Sequence, residues 1–182
     1  APRLEIEIDG GLDETTTALV DVVLLRSGWV GAHALWDPAL LVEAVVARSD
    51  PALTGLAGVA GMLCPLRAEP PQALDIAFDP TGPRLTAPLG PGQLVPIGIG
   101  DWRLIGTGER VELGRRSPST GSRPPGNDDA LTLAFDGERE IVLEPGMSAS
   151  VRLATDGPRV VDAHGILWAA ARSGELAGRR PD

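Results

Sequence analysis

The sequence predicts a mainly β domain, a sandwich or a barrel, carrying two or three short helices. Short runs rich in Val, Ile, Leu and Thr recur along the chain with Gly, Pro, Asp and Ser between them. Their number and spacing fit antiparallel sheets better than the strand-helix-strand alternation of a parallel sheet. The 182 residues, 43% of them apolar, suffice for the core of one domain over 1–182.

The elements follow in order. Leu4 to Ile8 alternates apolar and acidic residues and meets Asp9-Gly10-Gly11, the pattern of a half-exposed strand entering a hairpin turn. Ala18 to Leu25 is nearly continuously apolar, so it reads as a strand buried on both faces, with the first strand as its candidate partner; periodicity by itself leaves helix open. Asp37-Pro38 supplies a capping carboxylate and a first-turn proline, which predicts a helix to about Arg48. In that helix Leu41, Ala44 and Val45 would share a face while Glu43 and Arg48 meet water, and Ser49-Asp50-Pro51 would end it.

Thr54 to Leu63 is a run of small residues punctuated by Gly55, Gly58 and Gly61, which lets another backbone or a ligand come close. Strands are expected at 73–78, 84–87, 93–99, 102–105 and 110–113, then at 130–135, 140–143, 149–153 and 159–161. Between these blocks, residues 114–129 hold no large apolar side chain and read as a mobile surface loop; alternatively Arg115, Arg116 and Arg123 clamp an anion. Alanine-rich Ile166 to Leu176 predicts a short closing helix, so that 163–182 forms a C-terminal helix and tail.

Charge and composition exclude several classes. With 16 basic and 25 acidic residues the net charge is −9, which disfavours a nucleic-acid partner. All the basic residues are arginine, so the lysine of a phosphate-binding loop is missing. Cys64 is the lone cysteine, which rules out an intrachain disulfide and makes the cytoplasm the expected location. No apolar run approaches the roughly 20 residues of a membrane helix, so no membrane partner is expected. The chain begins Ala-Pro-Arg-Leu-Glu, with no signal-peptide pattern and no initiator Met, which fits a piece of something longer.

Candidate chemistry is sparse. His33, His164 and Cys64 show no ligand spacing, so no metal site is expected. No Gly-x-Ser-x-Gly elbow offers a nucleophile. Asp9-Gly10-Gly11 invites comparison with a phosphoryl-transfer motif, but turn chemistry explains it. Trp29, Trp36, Trp102 and Trp168 read as core fillers, with Trp29 and Trp36 around His33 as the alternative walls of a pocket for a flat ring.

The order of three segments, Ala18-Leu-Val-Asp-Val-Val-Leu24, Gly31-Ala-His-Ala-Leu-Trp36 and Thr54-Gly-Leu-Ala-Gly-Val-Ala-Gly61, resembles the C-terminal part of ATP-NAD kinase-like proteins, especially the AcoX branch named for acetoin catabolism. Ala87-Pro-Leu-Gly-Pro-Gly-Gln-Leu94 is similar to that family's Pro-His-Ser-Leu region, and Leu133-Ala-Phe-Asp-Gly137 to its Asp-Gly strand end. The resemblance covers about residues 15 to 162. With the strand count, it implies a mainly β, two-layer sandwich-like domain that supplies much of a dinucleotide site and subunit contacts. Phosphoryl transfer would belong to an upstream α/β domain with a Gly-Gly-Asp-Gly motif, so this chain would not be catalytic by itself.

The family's Asn-Glu pair falls on Val20-Asp21, and its threonine-rich stretch falls on Ala52 to Ala57, leaving one hydroxyl, that of Thr54. The expected binding positions are therefore Asp21, Thr54, Gly55 and Asp136: two aspartates as acceptors for ribose hydroxyls, a threonine hydroxyl for phosphate, and an approachable glycine amide. NAD or ATP is the ligand the resemblance implies, and a homo-oligomer the expected assembly. The alternative is a structural homo-oligomerisation module without a small-molecule ligand, which the lost polar residues favour.

Overall fold

The computed structural model describes residues 1–10, 14–26, 37–66, 69–90, 92–115, 131–159 and 161–175. The chain begins with an antiparallel hairpin, β1 (Arg3–Asp9) and β2 (Glu14–Ala18), in which Leu4 stands opposite Ala18 and Ile8 opposite Glu14. In β1 the alternation predicted from sequence is realised, because Leu4, Ile6 and Ile8 are buried while Arg3, Glu5 and Glu7 face the other way. The apolar run expected as one strand over 18–25 is broken by a bend at Leu19-Val20, so that Ala18 ends β2 and β3 spans Asp21–Leu25. β3 has four consecutive buried residues, as expected of a strand covered on both sides, but it does not pair with β1, the partner expected from sequence.

The helix expected from Asp37 to Arg48 is not there. Asp37 does cap, accepting from the Ala39 N–H at 2.9 Å, but it starts only a single 3-10 turn over Pro38–Leu40. The chain then enters strand β4 (Leu41–Val46), which is buried along its whole length between β3 and β5 (Gln72–Phe78). Val42, Val45 and Val46 suit a pleated strand, and burial on both faces removes the alternation that would have announced it. Glu43, expected to face water, is 1% exposed and accepts from the Gly114 N–H at 2.6 Å.

Helix α1 (Leu56–Leu63) fills the small-residue run. Next come β6 (Arg84–Gly90) and β7 (Gln93–Gly106), the latter joining two expected strands into one. Its junction is a register irregularity near Gly100, where Ala77 pairs with Asp101 but Phe78 with Ile99. Strands β8 (Arg110–Glu112), β9 (Leu131–Phe135), β10 (Arg139–Leu143) and β11 (Ser148–Ala154) precede α2 (Ala163–Ser173). The described residues of the strand expected at 159–161 are not in a strand, and the 114–129 loop lies outside the described residues beyond Arg115.

The strands form two antiparallel sheets, one of four strands ordered β2-β1-β11-β8 and one of seven ordered β10-β9-β3-β4-β5-β7-β6. A first core cluster joins them, with Leu4, Ile6, Ile8, Val151 and Leu153 from the smaller sheet and Val22, Leu24, Val45, Leu133 and Phe135 from the larger. A second cluster lies on the other face of the larger sheet, where Val23, Ala44, Val46, Leu74 and Ile76 pack with Leu56, Val59 and Ala60 of α1 and with Ala87 and Ile97 of the β6–β7 arm. Cys64 is partly buried against this second cluster, in keeping with a small core residue.

The tryptophans do not behave as core fillers where they are described: Trp102 is 40% and Trp168 58% exposed. Aliphatic side chains together with Phe78 and Phe135 fill the interior instead. Trp29, Trp36 and His33 lie outside the described residues. Among the described residues no helix is long and apolar enough to cross a membrane.

Candidate functional site

Two of the four expected site residues meet at the corner where the chain passes from one sheet to the other. Asp136, in the turn after β9, adopts a left-handed backbone (φ 53°) that aspartate tolerates better than most residues. Its carboxylate accepts from the N–H groups of Leu19 at 3.0 Å, Val20 at 2.7 Å and, more weakly, Asp21 at 3.3 Å. The Asp136 N–H returns a bond to the Asp21 carbonyl at 3.1 Å. Successive amides turned toward one point make a concave anion seat, here filled by the protein's own carboxylate.

Arg139, one turn further on, grips the same crossover. Its guanidinium donates to the Thr16 hydroxyl at 3.1 Å and to the Thr17 carbonyl, and lies 5.5 Å from the centroid of the Phe135 ring. The β9–β10 hairpin thus holds β2 and β3 in their relative places. Nothing local in the sequence points to the Arg139 grip on β2, since its hydrogen-bond partners lie more than a hundred positions away.

Asp21 stands opposite Val46 in the ladder. Alternation therefore puts its side chain on the face shared by Val23 and Val46, the face covered by α1. Partial burial first, and the neighbouring Asp136 carboxylate second, push its pKa up to about 6.

Thr54 and Gly55 form the other pair, at the start of α1. Gly55 caps the helix with φ 77° and ψ −157°, a conformation essentially reserved for glycine. Its N–H donates to the Pro88 carbonyl of β6 at 2.8 Å, and its own carbonyl receives Gly58 and Val59 at 3.1 Å each. The expected glycine amide is thus already engaged inside the protein, while Thr54 is exposed. Pro88 sits in the Ala87–Leu94 run, so two segments that the sequence keeps far apart meet here.

The other glycines of α1 make room for backbone. A Cβ on Gly58 would lie 2.2 Å from the Leu53 carbonyl oxygen, and one on Gly61 would lie 2.3 Å from the Pro51 nitrogen. The segment 50–53 folds back on the helix, tied by the Asp50 N–H to the Ala57 carbonyl at 3.1 Å. Close approach of a second backbone, one of the two alternatives read from the small-residue run, is what the packing shows.

Strand pairing sets two transverse rows on the α1 side of the larger sheet: Asp21, Val46, Leu74 and Leu104 in one, Ala134, Val23, Ala44, Ile76 and Trp102 in the other. The middle of both rows is buried, whereas Trp102 and Leu104 are each 40% exposed at the β7 end. Asp21 and the Thr54-Gly55 loop accordingly belong to the same side of the sheet, though no hydrogen bond joins the two pairs among the described residues. The Trp-x-Leu alternation after Asp101 was the available signal for the exposed pair.

Two antiparallel sheets, a corner locked by a carboxylate and a helix laid over the larger sheet define a helix-covered β-sandwich domain. The chain belongs to the acetoin catabolism protein X C-terminal domain family, whose model matches residues 2–156; α2 lies beyond the match. It is similar to acetoin catabolism protein X of Cupriavidus necator, with 30% identity over a 176-residue alignment that covers 93% of this chain and 45% of that protein. The chain spans less than half the length of that relative.

Proposed function

We propose that this chain is the nucleotide- or dinucleotide-holding and assembly half of an acetoin catabolism protein X-type protein, acting in the cytoplasm and not catalytic by itself. The observation that carries the reading is the Gly55–Pro88 hydrogen bond, which joins two of the segments that carry the family resemblance at the head of α1. Asp21 lies on the same side of the sheet. An ionised Asp21 accepts hydrogen bonds from ribose hydroxyls, and the exposed Thr54 hydroxyl donates to a phosphate oxygen. Asp136 and Gly55 serve by position, since the first seats the bend before Asp21 and the second shapes the loop that presents Thr54. Phosphoryl transfer depends on positioning and charge stabilisation around the phosphates, which on this reading an upstream α/β domain supplies.

Calorimetric titration of NAD and ATP tests the reading: heat in the native chain that vanishes in Asp21→Ala supports it, and no heat at millimolar ligand overturns it.

A second reading, a structural module that pairs with another copy of itself, draws on Trp102 and Leu104, which extend buried apolar rows into solvent. The outer face of the smaller sheet is unsuited to that role. There Arg3 pairs with Glu5 and Asp156, Arg152 with Glu5, and Arg110 with Glu7 and Glu112, a lattice of solvated charge.

A further inference from the structure

We infer that the corner between the sheets is a proton-controlled latch, in which the Asp21–Asp136 pair grips the β2–β3 crossover tightly when it carries one negative charge and loosely when it carries two.

The geometry places two carboxylates of adjacent strands at one partly buried corner. The backbones are tied both ways, by the Asp136 N–H to the Asp21 carbonyl at 3.1 Å and by the Asp21 N–H to the Asp136 carboxylate at 3.3 Å. The Leu19, Val20 and Asp21 amides all donate to the Asp136 carboxylate, which receives them as an acceptor. Among the described residues no such donor reaches the Asp21 carboxylate, so Asp21 is the group whose ionisation the corner opposes.

Among the described residues no cation offsets the pair. Arg139 is turned to Thr16, Thr17 and the Phe135 ring, and Arg48 and Asp50, beyond the end of β4, are exposed. Glu138, in the Asp136 turn, is exposed, and Glu140 on β10 adds a further acidic group opposite Ala134. Helix α1, on the same side, carries no charged residue. Among the described residues neither aspartate makes an ion pair, so a second ionisation raises like-charge repulsion in a partly dehydrated setting. The upward displacement of Asp21 titration agrees with this arrangement. Burial first and the Asp136 charge second oppose the ionisation of Asp21, and opening the corner relieves both.

Amide hydrogen exchange in the native chain reads the latch directly. After correction for intrinsic rates, protection at Leu19, Val20 and Asp21 should rise about tenfold from pH 8 to pH 5, because the closed corner binds a proton that the open one has released. Asp21→Asn should hold high protection with no such dependence. Titration of Asp21 followed by its carboxyl carbon shift gives a readout that needs no variant: a step displaced upward to about 6 is expected. Protection independent of pH, the same pH dependence in Asp21→Asn, or a single step in the ordinary carboxylate range overturns the inference.

Discussion

The Asp136 carboxylate accepts the Val20 N–H at 2.7 Å, a bond that joins the end of one hairpin to the bend between the two sheets. The same side chain receives Leu19 and Asp21 as well, so a single residue satisfies successive amides of the crossover. Replacing it by glycine keeps the left-handed backbone accessible and removes the acceptor together with the charge that faces Asp21. Asp136→Gly should cost about 2–3 kcal/mol in urea denaturation, the scale of stranding partly buried donors. Asp136→Asn, which keeps one oxygen, should cost less.

Asp21 works against stability at neutral pH. Its folded pKa lies near 6 and its ordinary value at 3.8, so below the lower value the group is protonated in both states and costs nothing. As pH rises between the two values, the unfolded chain releases a proton that the folded chain retains. Stability therefore falls across this window, and the full penalty persists above it. Asp21→Asn should be more stable than the native chain by up to about 3 kcal/mol at pH 7, with the difference disappearing near pH 4. Denaturation midpoints of the two proteins across that range check the sign.

How much of this was legible in the sequence depends on how local each signal was. Leu4, Ile6 and Ile8 announced β1 by alternation, and the apolar run at 18–25 announced a doubly buried strand, although the bend at Leu19-Val20 confines it to 21–25. β4 was hidden because Asp37 does cap a turn, while Leu41 to Val46, buried on both faces, has no alternation to contradict a helix. The corner was half legible: Asp21 and Asp136 could be singled out, but the amides that occupy Asp136 lie 115 to 117 positions away and became partners only through strand order. The roles of Gly58 and Gly61 were likewise open, since a small residue permits either a ligand or a backbone to approach, and only the packing decides between them.

Gly55 holds a backbone conformation that a β-carbon strains, even though the nearest atom to such a carbon, the Leu89 carbonyl oxygen, is 4.0 Å away. Gly55→Ala should therefore destabilise by about 1–3 kcal/mol through torsional strain. Because the α1 head meets β6 there, the loss should coincide with weaker exchange protection of the Gly55 and Val59 amides. A neutral effect in thermal melts would show that the loop relaxes without strain.

Trp102 and Leu104 predict behaviour in assembly. Trp102→Asp should lower the association state seen by sedimentation while shifting the unfolding free energy by less than about 0.5 kcal/mol, since the side chain is already partly in water. An unchanged association state would place any contact between copies elsewhere.

The central claim is that the α1 side of the larger sheet holds a nucleotide. Mapping backbone amide shifts during titration with NAD tests it most directly. The account predicts saturable changes centred on Asp21, Thr54 and Gly55 and their neighbours on that side, with the ionic outer face of β1 and β11 silent. Changes confined to that ionic face, or none at millimolar NAD and ATP, would contradict it.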